Sequence, residues 1–115
     1  MPEKTEHDLI VIGSGAAGLT AALVASIKGL DVLILERANV LGGTTAISAG
    51  SAWVPNSHYD QSGPDSIANA RRYLDATVAR HTSDDLKDAF LTAAPAMARM
   101  LADHSDVCFR PYPHL

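Results

Sequence analysis

Along the first third of the chain, apolar residues come in unbroken blocks rather than in alternation. Leu9 to Ile12 is wholly apolar and stops at Gly13, the pattern of a strand covered on both faces in a parallel sheet. Ala16 to Lys28 is rich in Ala, Leu and Ile, which suits a helix lying close on that sheet, and Gly29 occupies the place of a terminating glycine. Asp31 to Leu35 then reads as a second buried strand, ending at Glu36. Strand, helix and strand in this spacing predict a βαβ unit over residues 7–36 with a right-handed crossover. From Val40 to Ser62 the pattern dissolves into Gly, Ser, Thr, Asn and Pro, with one short extended piece expected near Ala52 to Val54. Helical periodicity returns over about 65–104. Pro64, Asp65 and Ser66 open a helix with Ile67, Ala70, Leu74 and Val78 on one face. Asp84 and Asp85 open another, with Leu86, Ala89, Phe90 and Ala93 spaced for burial, and Pro95 is expected to break or restart it. The segment "SDVCFRPYPHL" ends the chain with a short strand candidate and two prolines.

The fold class implied is α/β: the N-terminal βαβ part of a Rossmann-like domain, followed by a loop and helices. Only two convincing strands precede the last residue, whereas a doubly wound sheet usually has four or more. The sheet is incomplete in this chain, and the sequence is expected to be the N-terminal portion of a longer protein whose substrate domain is absent here. Composition narrows the class. The chain has 115 residues, a formal net charge of −4 and 47% hydrophobic content, with no basic bias toward nucleic acid or anionic membrane. Cys108 is the only cysteine, which excludes a disulfide framework and a cysteine-built metal site and favours a reducing compartment. The start, "MPEKTEHDL", is charged where a signal peptide needs an apolar run, and Gly13, Ser14, Gly15 and Gly18 interrupt the first apolar stretch. A cytoplasmic protein without a transmembrane segment is the expectation.

Candidate chemistry begins at the turn between the first strand and the helix. Gly13, Gly15 and Gly18 form G-x-G-x-x-G there. The first glycine permits a tight turn, the second lets main chain approach a pyrophosphate, and the third lets helix and strand pack closely. A helix N-terminus presents free N–H groups and partial positive charge to phosphate. Glu36 lies eighteen residues beyond Gly18. A carboxylate there accepts hydrogen bonds from ribose hydroxyls and repels a 2′-phosphate, so NADP is disfavoured. A glycine-rich turn without ligand is the plain alternative, but strand, helix, Gly29, second strand and acid all fall in register for a dinucleotide site.

A second glycine pair follows in Leu41-Gly42-Gly43-Thr44-Thr45. This loop is expected to return toward the first turn, bringing main chain and the hydroxyls of Thr44, Thr45 and Ser48 to phosphate or flavin. The alternative is an exposed Gly/Thr turn. The Glu36-Arg37 pair with "GG" a few residues on resembles the second fingerprint of FAD-binding flavoproteins, which simple NAD dehydrogenases lack. FAD is therefore the expected cofactor, with a flavin loop over residues 40–57.

The stretch "LGGTTAISAGSAWVPNS", Leu41 to Ser57, resembles the succinate dehydrogenase/fumarate reductase flavoprotein superfamily, and within it the 3-ketosteroid Δ1-dehydrogenase branch. Trp53, Val54 and Pro55 match its "WVP" or "WLP"; "ANARRYLDA", Ala68 to Ala76, and "FLTAAPAMARMLADHSDVCFRPYP", Phe90 to Pro113, match its later helices and its Phe-Arg-x-(Phe/Tyr)-Pro segment. The resemblance implies FAD contacts at Gly13, Ser14, Gly15, Ala17, Gly18, Glu36, Arg37, Gly43, Thr44, Thr45, Ser48 and Gly50, with Ala17 acting as a main-chain donor. Some relatives attach FAD through a histidine in this loop; Thr44 falls at that position, which implies non-covalent FAD. Ser51 replaces a second glycine found in many relatives. The branch removes two hydrogens from adjacent carbons beside a ketone, a tyrosinate taking the proton and flavin the hydride. The implied partners are a hydrophobic ketone, such as a 3-ketosteroid, and an electron acceptor. The branch's catalytic tyrosine lies in an Asp-Tyr-Tyr-like stretch just after the Phe-Arg segment, where this sequence reads Pro113-His114-Leu115. Tyr112 matches the preceding aromatic, so no catalytic residue is assigned.

A fumarate reductase-like enoate reductase of the same superfamily and a catalytically inactive nucleotide-binding fragment remain the alternatives. An NAD(H) dehydrogenase is disfavoured by the Leu41 to Gly50 loop. His7, His58, His81, His104 and His114 show no metal-ligand spacing and read as surface or loop residues. Asp84-Asp85 reads as helix-start charge, and Arg71-Arg72 as one solvated and one partly paired arginine, with phosphate binding the lesser reading. Trp53 reads as packing under the flavin loop, with substrate contact the lesser reading, and Cys108 as a small buried hydrophobe.

Overall fold

In a computed structural model of the chain, residues 6–59 and 66–112 are described, and the chain divides into two compact units, Met1–Ala52 and Trp53–Leu115. Pro64, Asp65, Pro113, His114 and Leu115, which the sequence reading used, lie outside the described residues.

The first unit is a strand, a helix and a strand. Strand β1 (Leu9–Ile12) and strand β2 (Val32–Leu35) pair in parallel, from Leu9 opposite Val32 to Ile12 opposite Leu35. The ladder runs one step into the turn, where the Gly13 N–H donates to the Leu35 carbonyl at 2.7 Å. Between the strands, helix α1 (Ala16–Ile27) ends as expected at Gly29. At φ +84° this glycine takes the left-handed conformation that a side chain disfavours. Its N–H donates to the Ser26 carbonyl at 2.9 Å, and the Leu30 N–H reaches back to the Ala25 carbonyl at 3.1 Å, the paired bonds of a Schellman termination. Helix α1 covers one face of the sheet, where Val11, Ala22 and Ala25 are buried. The expectation that both faces are covered is not met: Ile10 and Ile12, on the other side of β1, are 54% and 86% exposed. The physical reason is that the described part of this unit supplies one helix to a sheet whose strands are apolar on both sides.

The second unit is helical. Helix α2 (Ile67–Thr77) starts at Ser66, whose hydroxyl accepts the Asn69 N–H at 3.1 Å. Helix α3 (Asp84–His104) starts at Ser83, whose hydroxyl accepts the Leu86 N–H at 3.4 Å, with Asp84 and Asp85 in its first turn where the helix dipole favours negative charge. Two sequence expectations fail in α3. Pro95 does not break it; the helix runs unbroken through this residue. A proline costs the helix the bond to the carbonyl four residues earlier, yet Leu91, Ala94, Ala98 and Leu101 form one buried stripe across the site and keep the axis continuous. The buried face is also displaced by one residue from the expected one. Leu86, Ala89, Phe90 and Ala93 are exposed, whereas Lys87 and Leu91 are buried. On α2, Ala70 is buried, but Ile67 is exposed.

Lys87 explains the displaced face. Its ammonium lies 2.9 Å from Asp75 and 3.3 Å from Asp84, so the charge is paired while the stem is buried. Arg71 joins the same group, pairing with Asp75 at 3.1 Å, with Asp84 at 2.8 Å and with Asp88. Hydrogen bonds from Lys87 and then Arg71 hold the Asp75 carboxyl below its ordinary value, and hydrogen bonds to Asp75 first hold both cations above theirs. Trp53 packs on Tyr73 edge-on at 5.2 Å and on Phe90 stacked at 5.7 Å, and remains half exposed. One more expectation is corrected here: Cys108 is exposed rather than buried; residues 52–54, expected to be extended, pair with no strand. Among the described residues the tail after α3 also forms no strand.

Candidate nucleotide site

The turn between β1 and α1 is built around close approach. Gly13 takes φ +93°, which turns the chain sharply from strand to helix. A Cβ added to Gly18 would lie 2.1 Å from the Gly13 carbonyl oxygen and 3.3 Å from the Val11 side chain, so only glycine lets α1 sit this close to β1. Gly15, by contrast, has nothing within 4 Å of the place a Cβ would take. It is the N-cap of α1, and no side chain of its own caps the helix. The first-turn N–H groups therefore lack intrahelical partners, as at any helix start. Ala16 donates its N–H to the Thr45 hydroxyl at 3.3 Å, from the second loop, while Ala17 is exposed.

That second loop folds back onto the turn, as the sequence predicts. Gly42 takes φ +110° and Gly43 φ +54°, leading into a 3₁₀ turn over Gly43–Ile47. A Cβ on Gly43 would lie 3.3 Å from the Gly15 Cα, so the two glycine turns approach backbone to backbone. Within the loop, the Ser48 hydroxyl donates to the Thr45 carbonyl at 2.8 Å and accepts the Gly50 N–H at 3.0 Å. Ser48 and Gly50, at φ +67°, thus brace the loop. Thr44 is exposed beside them.

Glu36, at the end of β2, faces the first turn. Its Oε2 accepts the Ser14 N–H at 2.9 Å and the Ser14 hydroxyl at 2.5 Å, and its Oε1 accepts the Ala38 N–H at 2.8 Å. These bonds, that from Ala38 first, hold the carboxyl down at about 2, against an ordinary 4.5. It is a fixed anion at neutral pH. Ser14 thus makes two bonds to Oε2 and Ala38 one to Oε1, and a hydrogen bond from the Arg37 main chain also lowers the carboxyl. Arg37 beside it is exposed.

The residues present fit a dinucleotide. Open space over Gly15, a helix start whose N-cap glycine supplies no side-chain cap and an oriented acid lie in one unit. Of the residues named from the sequence, Gly13, Ser14, Gly15, Gly18, Glu36, Gly43 and Thr45 are brought together at the two turns. Ser14 differs from the expectation of a direct contact: it is completely buried, with its hydroxyl bonded to Glu36 and to the Gly42 N–H. Gly42 and Ala38 are the participants that sequence reasoning left out, and the "GG" pair itself was the available signal for Gly42. Among the described residues no three His, Cys, Asp or Glu side chains group to hold a metal ion, and no helix is long and apolar enough to cross a membrane. His58, read as a surface or loop residue, lies in a turn and is half-buried against Tyr59 at 4.0 Å.

Residues 8–114 match the family described as FAD binding domain. The chain is 37% identical over 107 residues to a 3-oxosteroid 1-dehydrogenase of Rhodococcus opacus, covering 91% of this chain and 21% of that protein. It is also 37% identical over 108 residues to a 4-oxocyclohexanecarboxylate 2-dehydrogenase of Sinomonas cyclohexanicum, covering 92% of this chain and 19% of that one. Among solved structures, the 3-ketosteroid delta1-dehydrogenase of Sterolibacterium denitrificans, crystallised with 1,4-androstadiene-3,17-dione, superposes with a TM-score of 0.79 at 38% identity, over 84% of this chain and 17% of that one. The chain thus spans about a fifth of the length of the curated relatives it matches.

Proposed function

Because the chain belongs to the FAD binding domain family, whose cofactor is FAD, we propose that it forms the dinucleotide-binding part of a dehydrogenase acting on a CH–CH bond beside a ring ketone. The observation that carries the reading is the backbone approach of Gly43 to Gly15, which joins the second glycine pair to the pyrophosphate turn. A simple nicotinamide site does not require that second loop. Similarity to the 3-oxosteroid and 4-oxocyclohexanecarboxylate dehydrogenases supports the substrate class, since both named substrates carry a ketone on a six-membered ring.

Bound FAD supplies a hydride acceptor. The chain's own residues bind and orient it. The N–H groups of Ala17 and Gly18 and the α1 dipole meet the pyrophosphate, with Gly15 leaving the space it needs. Gly13 holds the turn that aims the helix, and Glu36 receives an adenosine-ribose hydroxyl. Arg37, Gly43, Thr44 and Thr45 line the approach from the second loop, and Ser48 and Gly50 hold that loop in shape. With threonine at position 44, the flavin is held without a covalent bond. Substrate capture and the proton-accepting group belong to parts of the protein beyond these residues.

The test uses the full-length protein after desalting. Flavin absorbance should persist, acid precipitation should release all of it to the supernatant, and a 3-ketosteroid should bleach it, with turnover once an artificial acceptor is added. Colourless protein after desalting would overturn the cofactor assignment. Retained flavin that ignores cyclic ketones but passes electrons to fumarate would move the protein to an enoate reductase.

A further inference from the structure

Ser14 is the one polar residue of the cradle with no surface of its own, being 0% exposed. Its hydroxyl donates to Glu36 Oε2 at 2.5 Å and accepts the Gly42 N–H at 3.0 Å. The direction of both bonds is fixed, because the carboxylate only accepts and the amide only donates. The Ser14 N–H adds a second bond to the same oxygen at 2.9 Å. Both Ser14 bonds thereby fall on Oε2, while Oε1 accepts the Ala38 N–H at 2.8 Å. The serine therefore fixes which carboxylate oxygen faces the first turn and, with it, the orientation of the other. The same hydroxyl ties that choice to the placement of Gly42, the residue that turns the second loop.

We propose that Ser14 is the positioning residue for ribose recognition: without touching the cofactor, it aims Glu36 at the adenosine ribose and links that aim to the second glycine loop. This rests on the reading that Glu36 receives the 2′-hydroxyl. A short, charge-assisted bond from a buried hydroxyl restricts the carboxylate to one rotamer. Without it, either oxygen turns toward the ligand, and the acceptor loses its direction.

The experiment measures binding of ADP, the half of FAD that carries this ribose, and of 2′-deoxy-ADP to the full-length protein freed of flavin, by titration calorimetry. The wild type is expected to prefer ADP about tenfold, the scale of a hydrogen bond to a charged group. Ser14→Ala should bring the two ligands to within about twofold of each other, whereas a purely structural defect would weaken both alike and leave the tenfold ratio. An intact ratio in Ser14→Ala overturns the proposal. Ser14→Cys keeps the volume of the buried site and should show the same collapse; it serves where the alanine variant does not fold. In a Glu36→Gln background the serine change should leave the ratio where Glu36→Gln alone puts it, and a further fall would mean that Ser14 acts independently of the acid. Equal affinity for the two ligands in the wild type would overturn the ribose reading itself, a result distinct from an intact ratio in the variant.

Discussion

The turn after β1 and the long helix α3 place opposite demands on their residues. At the turn the backbone itself does the work: positive φ at Gly13, a helix packed against a carbonyl oxygen at Gly18, and two glycine loops in contact at Gly15 and Gly43. Few residue types satisfy such constraints, so the pattern is narrow. In α3 the backbone is an ordinary helix and the side chains decide which face is buried. There Lys87 takes a core position because three aspartates surround it and Arg71, while Leu86 and Phe90 lie exposed. Backbone-determined structure is specific in its residues; side-chain-determined structure is permissive, and the same face can be built from unexpected parts.

This contrast can be broken by substitution. The largest effect is expected from Gly18→Val, whose side chain must displace the Gly13 carbonyl; the first unit should lose more than about 3 kcal/mol and its helical circular dichroism. Next comes Leu91→Ala, at the centre of the α3 stripe, which should cost about 3 kcal/mol in urea denaturation. A cost below about 1 kcal/mol would mean that this stripe is not the core of its unit. Pro95→Ala should raise stability by about 1 kcal/mol, since it restores a helix hydrogen bond in an unbroken helix and returns only part of that as unfolded-state freedom. Gly15→Ala sharpens the comparison within the turn. Stability should change by less than about 1 kcal/mol, because nothing lies where the methyl would go, while FAD affinity falls by about tenfold or more. If Gly15→Ala unfolds the protein as Gly18→Val does, the division between scaffold and ligand glycines fails.

The smallest expected effect is on pH dependence. The Glu36 carboxyl is held down at about 2 in the folded chain, from 4.5, so its contribution is complete above 4.5 and is lost as pH falls toward 2. Asp75, also held below its ordinary value, gives the second unit a dependence of the same sign. Glu36→Gln should flatten the acid limb of the first unit's stability, read by amide exchange at β1 and β2, and leave that of α2 and α3 in place.

Legibility in the sequence followed the same division. β1, α1, the Gly29 termination and β2 were readable within a residue, because unbroken apolar runs and punctuating glycines have few other uses. The return of the second loop was readable from "GG" after Glu36-Arg37. The burial of Ser14 was not, because a serine between two glycines has the same appearance whether it meets a ligand or a carboxylate. In the second unit, existence of helices was readable and their faces were not. Periodicity weighted Leu86 and Phe90 above a lysine, and a proline signalled a break that the buried stripe on either side of it prevented.

The sequence by itself determined that a strand, a glycine turn, a small-residue helix and a second strand ending in an acid would form one α/β unit, and that this unit suits FAD. Each of those features is local, set by φ, by Cβ volume or by the spacing of apolar residues. Tertiary structure alone decided that Glu36 is aimed by Ser14, that Thr45 meets the start of α1, and that Lys87 lies in the core among aspartates. Apart from the Lys87–Asp84 pair, those outcomes join residues twelve to twenty-nine positions apart. A hydroxyl or an ammonium has no preferred partner until the folded chain brings one within reach.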